Sequence, residues 1–226
     1  MNERELREEL ADAARRLYQR GLVVAYEGNL SARLPADGRL APARAVDPRA
    51  AQRPERDFHW LCSPARRCKG ELAARDFLRV DGRGRALSQG VLSSEWELHL
   101  GIYRHLPEAM AVIHAHPPHA TAFACTAGGL APLLQPELIQ LLGAPVPLAP
   151  YAPPGSAELF ASVRPLLATS AVVLLANHGL VVVSRHSVAE AFHFVEQVEQ
   201  VARITCLARG LGDMRPLSAE QVRRLR

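Results

Sequence analysis

Leu6, Leu10, Ala13, Ala14 and Leu17 recur at the spacing of one helix face, and Gly21 stands where such a helix would stop. The period then shortens. Leu22 to Ala25 and Leu30 to Leu34 read as brief strands about the turn Glu27-Gly28-Asn29, and His59 to Ser63 and Phe77 to Asp81 as two more before the Gly82-Arg83-Gly84 turn. Helical spacing returns with Trp96, His99, Leu100 and Tyr103, behind Ser93-Ser94-Glu95, whose hydroxyls can cap free backbone donors. Met110 to His116 predicts a strand, His119 to about Cys125 a short helix after two prolines, and Pro145 to Ala149 an extended segment. Gly155 to Leu167 predicts a helix that Pro165 bends or shortens. Two strands flank Asn177-His178-Gly179, and Val188, Ala191, Phe192, Val195, Val198 and Ala202 mark a long helix ending near Gly210. Ser218 and Gln221 fit a capping box for a last helix. Helices and hairpin-like strand pairs alternate irregularly, so the expected class is α/β with a mostly antiparallel or mixed sheet under helices.

Only Pro35 to Arg56, rich in Pro, Arg, Ala and Asp, lacks any period and reads as a surface loop insertion. At 226 residues the chain suits one substantial core, so a single domain over 1–226 is expected. No apolar run is long enough for a membrane span, and the charged start Met1-Asn2-Glu3-Arg4-Glu5 is unlike a signal peptide, which points to the cytoplasm. Cys62, Cys68, Cys125 and Cys206 are scattered, without the pairing of a disulfide framework or thiolate zinc site. The net charge of +4 is carried almost wholly by arginine, with Lys69 the single lysine. No basic run is interleaved with aromatics, so nucleic acid is not an expected partner.

Candidate chemistry begins at His114-Ala115-His116. Two residues apart on a strand, these rings would leave the same face with alpha carbons roughly 6 to 7 Å apart. His178, in a turn after the apolar run Ala171 to Ala176, can supply a third nitrogen. Catalytic zinc sites take three protein ligands and keep a place for water or substrate. Each piece also has a plainer reading. The H-x-H pair fits core or edge histidines, His178 a turn residue, and Glu95 a first-turn carboxylate favoured by the helix dipole. Ser93 and Ser94 fit simple capping as well as anion binding at a helix start. His99 shares the face of Glu95 and either orients it or is a satisfied core histidine, while His119 belongs to the helix after the strand.

Gly28-Asn29-Leu30-Ser31, Ser93-Ser94-Glu95-Trp96, His114-Ala115-His116 and Asn177-His178-Gly179-Leu180, in that order and with Ala149-Pro150-Tyr151 between the last two, resemble the class II aldolase/adducin family. The resemblance implies a three-layer α/β/α sandwich, a homotetramer with sites between subunits, and a divalent metal, zinc above all, on His114, His116 and His178. It places the acid/base carboxylate on Glu95 and substrate contacts on Gly28, Asn29, Ser93 and Ser94. Its implied substrates are a sugar, sugar phosphate or hydroxy acid. Departures collect on one side. Tyr26 and Glu27 stand where the family has a small hydroxyl residue and its neighbour, and Ser63-Pro64-Ala65-Arg66 replaces a T-P-S-G or T-P-T-G loop. Arg66 could clamp a carboxylate or phosphate there. Pro136-Glu137 lies where aldolases of the family carry a tyrosine that helps protonation, and no acidic residue occurs from Ala124 to Leu134, against the pattern of the family's epimerases. The expected function is a metal-dependent aldolase acting on a hydroxylated ketose or its phosphate through a stabilised enediolate. The alternatives are a decarboxylase or dehydratase of a sugar acid or aromatic acid, and a non-enzymatic adducin-like assembly module.

Overall fold

The computed structural model describes residues 1–34, 59–130, 135–142 and 146–225. The loop read from Pro35 to Arg56 therefore lies outside the described residues, as does Pro145. The first helix, α1 (Glu3–Gln19), is closed by Asn2 and Glu5 in a reciprocal capping box and buries Leu6, Leu10, Ala11, Ala13, Ala14 and Leu17. Past its C-cap Arg20 comes Gly21, whose φ of 66° is the left-handed geometry a helix stop uses.

Seven strands form one sheet: β1 (Asn29–Leu34), β2 (His59–Cys62), β3 (Leu78–Val80), β4 (Ala111–Ala115), β5 (Leu148–Ala149), β6 (Val172–Leu175) and β7 (Gly179–Ser184). Their spatial order is β3-β2-β1-β4-β7-β6-β5, antiparallel throughout except for the β5–β6 pair. Helices lie on both faces, which accords with the expected α/β class. Alternation along β4 shows why. Ala111, Ile113 and Ala115 enter the core shared with α1 and α6 (Val188–Leu211), while Val112 enters a second core with α2 (Trp96–His105) and α5 (Ala157–Val163). Strands buried on both faces read as unbroken apolar runs, as β6 and β7 do. Truncating a fully buried residue such as Ile113 to Ala would cost about 2–5 kcal/mol.

Several expected elements shift. Leu22 to Ala25 is not a strand: the carbonyl of Leu22 accepts from His116 N at 3.1 Å, and the chain turns with Ala25 at φ 46°. Both lateral positions beside β1 are already filled by β2 and β4, so β1 has no free edge for a hairpin partner. Pro165 splits its segment into α5 and a 3-10 turn, Arg164–Ala168. The helix after β4, α3 (Pro118–Ala124), starts one residue before His119. A further helix, α4 (Pro136–Leu142), occupies the Pro136-Glu137 region, and α7 (Ala219–Leu225) carries the expected Ser218–Gln221 capping box. Among the described residues no helix is long and apolar enough to cross a membrane.

Candidate metal centre

β4 carries His114 as its penultimate residue and delivers His116 just beyond its end. The turn between β6 and β7 delivers His178, with Asn177 in the left-handed region (φ 58°) that asparagine tolerates. Gly179 must follow, because a Cβ there would lie 2.5 Å from Ala115 O and 2.6 Å from His116 Cδ2. The three ring centroids are 4.6 to 5.1 Å apart, and one nitrogen of each ring lies within 4.8 Å of the others.

Two rings are turned by specific acceptors. His114 Nδ1 lies 2.9 Å from the carbonyl of Leu180, and His116 Nδ1 lies 3.1 Å from Glu27 Oε2. Both Nδ1 atoms are therefore donors, which leaves the two Nε2 lone pairs facing each other at 2.9 Å. Lone pairs so placed repel unless a proton or a cation lies between them. Glu95 completes the ring of donors, with Oε2 at 3.2 Å from His114 Nε2 and Oε1 at 3.2 Å from His178 Nε2. Its Oε1 is buried without a hydrogen-bond donor, as is His178 Nδ1. Converging imidazole nitrogens, a carboxylate and an orphaned buried oxygen fit a zinc-like divalent ion.

Burial alone would raise the Glu95 carboxyl, but His114, His178 and the Asn29 amide hold it well below the usual carboxylate range. Burial and the neighbouring His114 push His178 down to about 4, and the same causes lower His116 against the opposing pull of Glu27. These rings are neutral near pH 7, the form that binds metal.

α2 starts at Trp96, so Glu95 is the residue before the helix proper rather than part of its first turn. Its backbone N–H bonds Ser93 Oγ at 3.3 Å, which frees the side chain for the histidines. Asn29 opposes His114 in the β1–β4 register, and its Nδ2 donates to Glu95 Oε2 at 2.9 Å and to Ser93 Oγ at 3.3 Å. Gly28 (φ 68°) permits that approach, since a Cβ would meet Val23 Cγ1 at 2.7 Å and His114 O at 2.8 Å. Glu95, His114, His116, His178, Asn29 and Ser93 thus come together, with Gly28 beneath them. Ser94 is exposed beside the turn at Gly155, and Arg66 is exposed on a turn of its own with φ 54°.

Two residues gain roles that their sequence context does not suggest, and His99 meets Glu95 by an indirect route. Glu27, at first only a departure from the family pattern, orients His116. His99 reaches Glu95 through Asn29 rather than directly. Lys69 is 1% exposed, and its Nζ donates to the carbonyls of Tyr26 at 3.2 Å and Arg67 at 3.0 Å. His119 stays with its helix, paired at 2.7 Å with Glu199, which also accepts from the first N–H groups of α3.

Fold and site together define an α/β sandwich with a three-histidine cluster that could hold a metal ion, and the profile described as Class II Aldolase and Adducin N-terminal domain matches residues 8–206: the chain belongs to that divalent-metal-dependent family. Among its relatives, a 3-oxo-tetronate 4-phosphate decarboxylase of Escherichia coli K12 is 33% identical, covering 99% of this chain and 96% of its own. An L-fuculose phosphate aldolase of Haemophilus influenzae is 29% identical over 98% of this chain and 92% of its own. The YgbL structure from Klebsiella pneumoniae superposes with a TM-score of 0.83 at 32% identity, covering 100% of both chains.

Proposed function

We propose that this chain is a divalent-metal-dependent lyase that decarboxylates a phosphorylated 3-oxo sugar acid. In this reading His114, His116 and His178 are the ligands of a zinc ion, and Glu95 carries the proton. One observation supports it above others: three histidines and an ionised carboxylate converge in a chain that resembles a 3-oxo-tetronate 4-phosphate decarboxylase over nearly its full length. The first-ranked aldolase expectation accordingly gives place to its alternative.

A 3-oxo acid with a 2-hydroxyl breaks its C1–C2 bond and releases carbon dioxide, and the electron pair left on C2 spreads onto the ketone oxygen as an enediolate. A bound divalent cation supplies the Lewis acidity that lowers this barrier. Neutral His116 and His178 leave the charge of such an ion undiminished. Glu95, ionised at rest, takes the proton of the 2-hydroxyl and passes it to C2, water then restores the proton of the 2-oxygen, and this role is worth about 10²- to 10⁴-fold. Gly28, Ser93 and Ser94 bind the anionic end of the substrate beside Asn29, whose amide is committed to Glu95 and Ser93, and Arg66 is a further candidate to pair with that anion. Carbon dioxide departs without a proton, so its exit needs no acid on the leaving-group side. That suits a chain with Pro136-Glu137 where the family's aldolases carry a tyrosine.

The aldolase reading stays second, supported by the likeness to an L-fuculose phosphate aldolase. Cleaving a ketose 1-phosphate leaves the enediolate of dihydroxyacetone phosphate, which is also what decarboxylation of 3-oxo-tetronate 4-phosphate leaves. The deciding assay offers zinc-loaded protein both substrates. Carbon dioxide release from 3-oxo-tetronate 4-phosphate, abolished by chelation, is the expected result. Aldehyde from fuculose 1-phosphate with no carbon dioxide from the acid would transfer the chain to the aldolases. Absence of stoichiometric metal and of both products would leave the assembly module.

A further inference from the structure

Behind Glu95 a line of buried polar groups runs through the second core. Tyr103 and His99 are 2% exposed, Ser31 0% and Asn29 5%. Tyr103 Oη lies 2.9 Å from Ser31 Oγ, Ser31 Oγ lies 2.7 Å from His99 Nδ1, and His99 Nε2 makes a short contact with Asn29 Oδ1. Asn29 Nδ2 then meets Glu95 Oε2 at 2.9 Å.

Proton counting sets the direction of every link. The Glu95 carboxylate only accepts, so Asn29 turns its NH2 toward it and its Oδ1 toward His99. An amide oxygen also only accepts, so His99 Nε2 carries hydrogen. Burial pushes the His99 ring down to about 3, so it is neutral and its Nδ1 is bare. Ser31 must spend its single hydrogen on that nitrogen and accept from Tyr103. No group in the line is left over.

We propose that His99, Ser31 and Tyr103 are positioning residues, a one-way hydrogen-bond chain that fixes the Asn29 amide with its NH2 toward Glu95 and so holds the carboxylate at the histidine cluster. Without the His99 donor, Asn29 Oδ1 is buried with no partner, and only Glu95 and Ser93 are left to hold the amide in place. Flipped, it would set a carbonyl oxygen against the carboxylate. The proposal rests on the lyase reading only for what Glu95 does once it is held.

The test is a set of variants loaded with zinc and read by solvent deuterium exchange into dihydroxyacetone phosphate, which both lyase reactions share. His99→Leu should lower exchange about 10- to 100-fold, the usual cost of losing an outer-shell partner. His99→Gln, which places an amide NH2 where Nε2–H was, should restore most of it; a space-filling role would leave the two variants alike. Tyr103→Phe should fall between His99→Leu and the unaltered protein. Nitrogen-15 NMR of the unaltered chain should find His99 Nε2 protonated and Nδ1 bare, a result independent of turnover and of whether any variant folds. Protonated Nδ1, a fully active His99→Leu, or equal loss in Leu and Gln would each overturn the chain. Glu95→Gln separates the two claims: if it is inactive while His99→Leu is normal, the chain falls and the lyase reading stands. If Glu95→Gln exchanges normally, the lyase role of Glu95 falls and the NMR result still decides the chain.

Discussion

The histidine cluster has an inner wall and an outer rim, and the two are built differently. On the inner wall, His114 has a fully buried side chain, its ring is oriented by a main-chain carbonyl, and its register partner Asn29 holds Glu95. On the rim, the side chain of His116 is 20% exposed and is oriented by Glu27, itself 44% exposed, while Tyr26 beside it faces solvent. Strands set the first arrangement and loops the second. In the proposed reaction, the sheet would carry charge stabilisation, and substrate choice would fall to side chains that can vary without moving a strand.

The inner wall should fail most completely when broken. His114→Ala removes a proposed ligand and a ring from a fully buried position, so both metal retention and turnover should be lost; a variant that still holds one equivalent of zinc after dialysis would remove His114 from the proposed ligand set. Glu95→Gln should keep metal yet lower turnover by about 10²- to 10⁴-fold, read as carbon dioxide release at saturating substrate. Turnover within twofold of the unaltered protein, about the scatter of the assay, would sink its role as proton carrier.

What could be read from the chain follows the same division. Period-two alternation placed His114 and His116 at a strand end, and the turn Asn177-His178-Gly179 brought the third ring, because strand geometry acts over neighbouring residues. The line through Asn29, His99 and Ser31 could not be read that way. Ser31 and Tyr103 are joined only by the packing of α2 on β1, and spacing gives no hint of it. Leu22 to Ala25 misled for a related reason: an apolar run reports burial but not whether a sheet edge is free. Lys69 was hidden by the general rule that lysines are exposed.

At the rim the expected effects are smaller and of a different kind. Glu27→Ala should weaken zinc affinity by about 10- to 100-fold without abolishing binding, measured by competition with a chromophoric chelator. No comparable variant exists for His114, whose acceptor is backbone. Equal affinity in Glu27→Ala would make the His116 contact incidental. Beneath the rim, burial lowers the Lys69 amine from 10.5 to about 8, with only Cys68 pulling the other way. Its folded value lies below its unfolded one, so below pH 8 the buried charge costs roughly 3 kcal/mol, and this penalty is relieved as pH rises through 8 toward 10.5. The difference in stability between the unaltered protein and Lys69→Met, taken from urea midpoints, should therefore shift in favour of the unaltered protein across that window. Parallel curves would mean that Lys69 is not buried as a free amine.

Arg66, exposed on a turn of its own, gives the smallest expected effect. It holds φ 54° on an exposed turn, a conformation that costs a side-chain-bearing residue about 1–2 kcal/mol and that glycine adopts freely. Arg66→Gly relieves that strain but adds freedom to the unfolded chain, so the melting temperature should rise slightly or stay level. If the guanidinium binds the anionic end of the substrate, the same change removes a charged hydrogen bond, and KM should rise roughly tenfold while kcat holds. The two readouts pull apart what a single activity measurement would merge. A higher KM with unaltered or greater stability means that the strain is kept for substrate binding. An unchanged KM would return Arg66 to the solvent and leave Gly28, Ser93 and Ser94 to hold the anion alone.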